Sequence, residues 1–270
     1  MLKFICSLLL FLLSASLGFA GDFWGDLDGR GYQKISIIDL EKVSEKKIAI
    51  LIHGAASESD YLLPLGIILK DRGYEPIQYR YNTDERASDL NLSLKLNLNA
   101  LIWKINPDEV LIIGHSLGGI LARKTLEEIT LTPKITFISI SSPFKGMKIL
   151  SSLKNPLIYQ ITSLVIKDLK KSFIDMAAKS EFLNSYKGIP SHIKHHQIIT
   201  DEEGEIRIVH INGKTVEKND DLVAIEEQTS DLIEPYLQGK HQMKNGHVSV
   251  VNSAGKVSAN LAQLLDELEL

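Results

Sequence analysis

The sequence predicts an α/β fold in which a mostly parallel central sheet carries helices on both faces. Four short runs, mostly apolar and rich in β-branched or aromatic residues, are typical of buried strands. Segments with apolar residues at helical spacing lie between them, and this alternation indicates parallel strands joined by crossover helices. The four runs are residues 47–52, 76–81, 108–114 and 134–140.

Three helices are indicated by apolar residues that share one face. The first contains Leu65, and Gly73 follows it as a C-cap. The second begins at Leu117 and continues through Ile120 and Leu121. The third lies near the end of the chain and is the clearest, with a face made of Val257, Leu261, Leu264, Leu265 and Leu268.

The segment 90–102 fits two patterns. Leucines at every second position between residues 90 and 98 give the alternation of a strand. A helical stripe is also present, made of Leu90, Leu94, Leu98, Leu101 and Ile102. Because the flanking strands are expected to be parallel and need a crossover, a helix is predicted, with an extra apolar face under a neighbouring element.

The first 20 residues have the pattern of a secretory signal peptide. Lys3 supplies a positive start, residues 4–13 are almost entirely apolar, and Gly-Phe-Ala at 18–20 precedes a predicted cleavage point. The apolar run is short for a membrane span, and an uncleaved anchor is the alternative interpretation. The single cysteine, Cys6, lies inside this run, so the exported chain would hold together without disulfides. The predicted location is periplasmic or secreted.

Residues 21–270 are expected to form a single domain. A short pair of strands is expected at 32–40, ahead of the main alternation. From about residue 146 to residue 190 the alternation stops, and the segment is apolar enough for two amphipathic helices. Since it follows the 134–140 strand, it is predicted to form a small helical cap over the carboxyl edge of the sheet.

A Gly-x-Ser-x-Gly pattern, extended here to Gly-His-Ser-Leu-Gly-Gly at 114–119, follows a predicted strand and precedes a predicted helix. This context is typical of a nucleophile elbow, a sharp turn that lifts the serine hydroxyl out of the sheet. Glycines two positions either side of the serine are needed because a β-carbon would collide with the neighbouring strand and helix. Ser116 is therefore predicted to be a nucleophile at the carboxyl end of the strands.

A serine nucleophile needs a base, and the base needs an orienting acid, in the chain order serine, acid, histidine. Asp220 is the predicted acid because it follows a polar loop and precedes an apolar pair, with Asp221 as the alternative. His247 is the predicted base because it lies in a glycine-containing loop before the last helix. His241, six residues earlier, is the alternative base.

The same chemistry needs backbone N–H groups that stabilise an oxyanion. The predicted donors are the amide of Leu117, directly after the nucleophile, and the amide of Ala55, in the loop after the first strand. Gly54 would let that loop approach closely. His53 is expected to fix the loop by hydrogen bonds, and His115 is expected to point away from the substrate.

A further cluster of histidines is formed by His192, His195 and His196. Clustered histidines are candidate metal ligands, but the surrounding sequence favours a solvated loop. The sequence therefore predicts no metal site.

With these motifs in place, the chain resembles the α/β-hydrolase superfamily, and within it the bacterial lipases and esterases. The resemblance covers the strand and His-Gly pair at 48–54, Arg-Gly-Tyr at 72–74 and the elbow at 114–119. Ser-Pro-Phe-Lys-Gly at 142–146 is similar to the T-P-H-x-G stretch of bacterial triacylglycerol lipases. Residues 175–183 are similar to the D-L-x-x-x-S-x-F-L stretch of the same group.

Three features depart from the family pattern. Phe144 stands where a histidine is usual. Asp-Leu-Val-Ala at 221–224 replaces the usual G-V-V-P after the acid. The segment 201–218 is longer and more polar than in the family and is typical of a hairpin near the acid.

The resemblance implies a serine hydrolase that cleaves carboxylic esters through an acyl-serine intermediate, without a cofactor. Ser116, Asp220 and His247 would form the triad, and the cap would shape an acyl-binding pocket. A thioesterase or amidase with the same triad is an alternative, and so is a non-catalytic binding protein that kept the fold. A peptidase is less favoured.

The expected partners are small-molecule or lipid esters, with peripheral contact to a membrane or lipid surface as a further expectation. The formal net charge is −4, and no run of lysine and arginine is present. Both observations argue against a nucleic-acid partner. The oligomeric state is not predicted by any pattern in the sequence.

Overall fold

The computed structural model describes residues 21–25, 33–35, 43, 46–55, 59–129, 133–148, 150–151, 171–202, 210–211, 214–215, 220 and 222–270. The predicted signal peptide, the central part of the predicted cap at 152–170 and the alternative acid Asp221 lie outside these residues. Within the described ranges, no helix combines the length and the apolar character that crossing a membrane requires.

An eight-stranded sheet forms the centre of the described part of the chain. Its strands are β1 Gly21–Gly25, β2 Gln33–Ile35, β3 Lys47–Ile52, β4 Glu75–Tyr81, β5 Glu109–His115, β6 Lys134–Ile140, β7 Ile193–Thr200 and β10 Leu237–Met243; β8 His210–Ile211 and β9 Lys214–Thr215 form a separate antiparallel pair. The order across the sheet is β10-β7-β6-β5-β3-β4-β1-β2. Neighbours from β10 to β4 are parallel, and β1 is antiparallel to both β4 and β2. The predicted mostly parallel sheet is confirmed.

Helices lie on both faces of the sheet, as predicted. In the described residues they are α1 Leu63–Asp71, α2 Ala87–Ile105, α3 Leu117–Leu126, α4 Ser172–Asp175, α5 Glu181–Asn184, α6 Ile225–Gln228 and α7 Ala259–Glu267, with 3-10 turns at Ser59–Leu62 and Glu234–Tyr236. Because successive side chains of a strand point to opposite faces, β3 contributes to two cores. Ile50 packs with residues of α2 and α3, and Leu51 packs with residues of α1 and α7.

The leucine-rich segment is helical and forms most of α2. Leu90, Leu94 and Leu98 are buried, so the helical stripe decides the structure and the strict alternation does not. The prediction that a neighbouring element covers the extra apolar face is wrong for Leu92, which is 39% exposed. Leu96 is only partly buried.

Two strands of the parallel sheet, β7 and β10, were not predicted. The interpretation of the histidine cluster as a solvated loop is wrong, because His195 and His196 are buried within β7 and only His192 is exposed before it. Histidine and glutamine interrupt the apolar run of β7, so the sequence pattern of a buried strand is weak there. A buried strand tolerates them where they find partners. His195 stacks on Phe137 with ring centroids 4.4 Å apart and lies 2.9 Å from the hydroxyl of Ser139.

Within the range 32–40, where a pair of strands is expected, the described residues contain one strand, β2. It pairs with β1, which lies before the expected range, and Phe23 is opposite Ile35. Residues 36–40 lie outside the described residues. Two glycines and an aspartate in the five residues of β1 weaken its strand signal.

The C-terminal part of the predicted cap is tied to the start of α2. The Asp175 carboxylate accepts hydrogen bonds from Arg86 Nε at 2.9 Å and from the backbone N–H of Ala87 at 2.7 Å. It therefore caps the N-terminus of α2, which lies at the carboxyl end of β4. The hairpin expected within 201–218 corresponds to the β8–β9 pair.

Candidate active site

Ser116 lies on a strained turn between β5 and α3. Its φ and ψ are 53° and −120°, a positive φ that non-glycine residues rarely adopt. The turn is held by its backbone, since Ser116 N–H donates to Ile140 at 2.9 Å and Gly119 N–H donates to Ser116 at 3.1 Å. The predicted strand, turn and helix are therefore present at this serine.

Two glycines allow this turn to pack closely. A β-carbon on Gly114 would lie 2.5 Å from the Cα of Gly119, and one on Gly118 would lie 2.2 Å from the carbonyl oxygen of Ile52. Real β-carbon contacts are not this short, and backbone atoms cannot move to relieve such a contact as the end of a flexible side chain can. The glycines are required by the approach of α3 to β3 and β5.

Asp220 is fully buried and receives hydrogen bonds on both carboxylate oxygens. Oδ2 accepts from His247 Nδ1 at 2.9 Å and from Thr200 Oγ1 at 2.6 Å, and Oδ1 accepts from the N–H of Val223 at 2.7 Å. Burial raises the pKa of Asp220, but the His247 imidazole and the hydrogen bonds outweigh it, so the pKa lies below its ordinary value. The carboxylate is therefore ionised and aimed at His247.

Gln228 and Thr200 support this acid, and the sequence reasoning missed both. The side-chain amide of Gln228 accepts a hydrogen bond from the N–H of Thr200 at 3.0 Å and donates one to the Thr200 carbonyl at 2.9 Å. These are the two hydrogen bonds that the backbone of a neighbouring strand would make. Gln228 Nε2 also lies 3.4 Å from Asp220 Oδ2. The Thr200 hydroxyl lies 2.6 Å from that of Ser141. No local pattern marks these residues, because their partners are distant in sequence.

His247 is held in place by its backbone as well as by its ring. Its N–H donates to the carbonyl of Asp220 at 2.7 Å, and its own carbonyl accepts from His115 Nε2 at 2.8 Å. The hydroxyl of Tyr61 donates to the carbonyl of Val248 at 2.8 Å. The rings of His115 and His247 are 4.8 Å apart. The residue before Ser116 is thus in direct contact with the predicted base.

His115 acts on this loop as a neutral donor. Burial lowers its pKa to about 3, so near pH 7 it carries one ring proton, and the bond to the carbonyl of His247 places that proton on Nε2. The alternative base His241 lies on β10, and its Nε2 is 3.3 Å from His196 Nδ1. Of the two candidate bases, His247 is the one hydrogen-bonded to Asp220.

The loop after β3 packs on the Ser116 side chain. A β-carbon on Gly54 would lie 3.0 Å from the Cβ of Ser116. His53 Nδ1 donates to the carbonyl of Gly54 at 2.8 Å, and the Tyr81 hydroxyl donates to the carbonyl of His53 at 2.5 Å. Burial lowers the pKa of His53 to about 4 and keeps it neutral. These contacts fix the backbone that leads into Ala55.

The predicted oxyanion donors follow the serine and the strand β3 in the chain. Leu117 is the first residue of α3, where backbone N–H groups are free of intrahelical partners. Ala55 follows Gly54 at the carboxyl end of β3. Phe144, one of the departures from the bacterial lipase pattern, is buried against Tyr186 and His195. The described residues contain no group of three or more potential ligands arranged to hold a metal ion.

The sheet, the strained serine turn and the buried acid–histidine pair at its carboxyl edge define an α/β-hydrolase fold. Solved structures share it. A lipase of Bacillus licheniformis, BlEst2 in its mature form, has a TM-score of 0.60 at 15% identity, covering 84% of this chain and 93% of the lipase. The Pyrococcus furiosus esterase Pf2001 has a TM-score of 0.52 at 17% identity, covering 94% and 92%.

An esterase from Exiguobacterium antarcticum is also similar, with a TM-score of 0.54 at 13% identity, covering 84% of this chain and 93% of the esterase. No family model matches the sequence. No curated protein matches it either. At these identities the similarity establishes the fold, and the chemistry depends on the site itself.

Proposed function

We propose that this protein is a serine hydrolase that cleaves carboxylic esters, as a lipase or esterase, with Ser116, His247 and Asp220 as its triad. The observation that carries the proposal is the buried 2.9 Å hydrogen bond between His247 Nδ1 and Asp220 Oδ2, beside the strained Ser116 turn. The shared fold of a lipase and two esterases supports it.

In the first half of the reaction, His247 Nε2 takes the proton of the Ser116 hydroxyl as the oxygen attacks the ester carbonyl. Asp220 holds the imidazole by its Nδ1–H and stabilises the cation that forms. The amides of Leu117 and Ala55 bind the developing oxyanion. The carbon–oxygen bond to the alcohol then breaks, and the alcohol leaves with the proton from His247.

In the second half, water attacks the acyl-serine carbonyl while His247 Nε2 accepts one of its protons. The tetrahedral intermediate collapses, Ser116 regains a proton from His247, and the carboxylic acid leaves. Every group in this cycle returns to its starting state, and the reaction consumes one water molecule. Small-molecule or lipid esters are the proposed substrates.

Export is part of the proposal. The pattern at residues 1–20, with Lys3, the apolar run and the small residues at 18–20, supports a signal peptide. Cleavage after Ala20 would place Gly21 at the start of the mature chain, in a periplasmic or secreted protein. The N-terminal residue of the secreted product, read by Edman degradation, tests this.

The test of the reaction is labelling of the folded protein with a fluorophosphonate, followed by peptide mapping, beside a series of p-nitrophenyl esters of increasing acyl length. We expect an adduct on Ser116 and turnover of at least one ester. Ser116→Ala is expected to lower kcat by roughly 10⁶-fold. Ser185→Ala, which removes a hydroxyl bonded to Lys124, is the matched control.

Full turnover by Ser116→Ala would overturn the proposal. A folded protein that takes no label and cleaves no ester would favour the non-catalytic binding protein. His247→Gln is expected to abolish turnover, and His192→Gln, at the exposed histidine before β7, is expected to leave it unchanged.

A further inference from the structure

The 3-10 turn at Ser59–Leu62 is hydrogen-bonded to the loop that carries His247. The hydroxyl of Tyr61 donates to the carbonyl of Val248 at 2.8 Å. In return, Nδ2 of Asn252 donates to the carbonyl of Tyr61 at 3.0 Å. The two bonds join residues 187 and 191 positions apart in the chain. They therefore depend on the assembled fold and tie the two segments together in both directions.

Three consecutive peptide groups around His247 each have a hydrogen bond to a residue outside its loop. The N–H of His247 donates to the carbonyl of Asp220 at 2.7 Å, and the carbonyl of His247 accepts from His115 Nε2 at 2.8 Å. The Tyr61 hydroxyl supplies the third bond, at the carbonyl of Val248. Because peptide groups are planar, the first two bonds orient the planes before and after His247, and the third restricts rotation about Val248.

The Tyr61 hydroxyl lies on a segment that is anchored by other contacts. Leu62, the next residue, is 1% exposed and packs with Val250 and Val251 in one apolar cluster. The Tyr61 ring is partly buried against this cluster, and its centroid lies 5.7 Å from that of His115. Burial raises the pKa of the Tyr61 hydroxyl, so it stays protonated and donates. Removing the hydroxyl would leave the apolar packing of the segment in place.

We propose that Tyr61 is a positioning residue for the base, and that its hydroxyl holds the His247 loop in the arrangement that aims the imidazole at Asp220. This inference rests on the proposed function of the triad. A general base must lie within hydrogen-bond reach of the proton that it takes, so small displacements of its loop lower the rate. The Tyr61 proton is committed to a backbone carbonyl, so Tyr61 acts through His247 and takes no part in proton transfer.

Tyr61→Phe removes the hydroxyl and keeps the ring. We expect kcat and kcat/KM for a p-nitrophenyl ester to fall together by roughly 3- to 10-fold, because one neutral hydrogen bond is lost and the base acts in both halves of the reaction. KM is therefore expected to stay unchanged. Thermal unfolding and circular dichroism check that the variant is folded.

Tyr74→Phe is the matched control. The hydroxyl of Tyr74 also donates a hydrogen bond, to Glu109 at 3.0 Å. Tyr74 precedes β4 and Glu109 is the first residue of β5, so this bond lies at the opposite edge of the sheet from the triad. Its loss is expected to leave kcat and KM unchanged.

A double-mutant cycle with His247→Ala distinguishes positioning of the base from a general structural effect. If the Tyr61 hydroxyl acts through His247, Tyr61→Phe is expected to change the residual rate of His247→Ala by less than about twofold, since the group that it positions is gone. A hydroxyl that supports the whole site would produce the same loss in both backgrounds.

The tautomer of His247 gives a readout that needs no turnover, measured by the nitrogen chemical shifts of the protein labelled with ¹⁵N-histidine. We expect the proton on Nδ1 in the wild type, because Asp220 accepts there. Tyr61→Phe is expected to raise the fraction of the other tautomer, and Tyr74→Phe is not. If the wild type cleaves no ester, the proposed function fails and the tautomer alone decides the role of Tyr61.

Three results would overturn the proposal. The first is wild-type kcat in folded Tyr61→Phe, and the second is an equal loss of rate in the wild-type and His247→Ala backgrounds. The third, for a chain without turnover, is an unchanged tautomer of His247 in Tyr61→Phe.

Discussion

Thr200 connects the end of β7 to the predicted acid through one hydroxyl. Oγ1 is 2.6 Å from Asp220 Oδ2, and Gln228 holds the Thr200 backbone on both its N–H and its carbonyl. A carboxylate that receives a donor from a rigid strand has little freedom to rotate. Its orientation toward His247 therefore depends on a residue that takes no proton in the proposed reaction.

Thr200→Val keeps the shape of the side chain and removes the donor to Asp220. We expect kcat/KM for a p-nitrophenyl ester to fall roughly 10- to 100-fold, since a hydrogen bond to a charged group contributes about 1.5–3 kcal/mol. Most of the loss is expected in kcat. Thr200→Ser restores the hydroxyl and is expected to recover most of the activity, and wild-type kcat in Thr200→Val would contradict this role.

The sequence could point to Ser116, Asp220 and His247 because each lies in a local pattern of glycine, polar loop and strand or helix. It could not point to Thr200, Gln228 or the contact of His115 with the His247 loop. Their roles arise from hydrogen bonds between segments that are brought together only by the sheet. A residue whose partners are distant in sequence carries no local signal.

At the scale of elements, the approach of α3 to the sheet leaves no room for side chains at two glycines. Gly118→Ala would bring its β-carbon within 2.2 Å of the Ile52 carbonyl oxygen. We expect the free energy of unfolding to fall by about 3 kcal/mol or more, as measured by urea titration. The matched control is Gly255→Ala, which has no atom within 4 Å of its added β-carbon.

Gly255→Ala is itself expected to lower the free energy of unfolding, because Gly255 has a φ of +81°. An alanine in this left-handed region costs about 1–2 kcal/mol. A loss in Gly118→Ala no larger than that in Gly255→Ala would contradict the close approach of α3 to β3. The comparison separates crowding from backbone strain.

Strands were predictable from sequence where apolar and β-branched residues dominate, as in β3, β5 and β6. They were not predictable in β7 and β10, where histidine, glutamine and glycine interrupt the run. In β7 the polar side chains find partners on neighbouring elements, as Gln197 does with the carbonyl of Gln228 at 2.6 Å. Those partners become visible only when the sheet is assembled.

At the scale of the whole molecule, three buried histidines link stability to pH. Burial lowers the pKa of His53 to about 4 and that of His115 to about 3, and it holds the pKa of His195 well below its ordinary value. In the unfolded chain each titrates near 6.5. Between these values the unfolded state binds protons that the folded state does not.

Folding stability is therefore expected to be highest above pH 6.5 and to fall as the pH drops from 6.5 toward 4. Each histidine contributes a slope of about 1.4 kcal/mol per pH unit, so the three contribute about 4 kcal/mol per unit. Urea titrations at several pH values measure this slope. His195→Gln is expected to reduce the slope by about 1.4 kcal/mol per pH unit, the contribution of one histidine. An unchanged slope would mean that the pKa of His195 is the same in the folded and unfolded states.

The strand order also determines when each part of the site can form. β5 and β6 follow one another closely, but the chain runs from residue 141 to residue 192 before β7, and β10 comes later still. Contacts that close longer loops form more slowly. We therefore expect amides of β5 to gain protection before those of β7 in pulsed hydrogen exchange during refolding. A newly made chain would then form its serine turn before Asp220 and His247 reach their positions. The proposed triad would stay incomplete, and the chain inactive, until the sheet is complete.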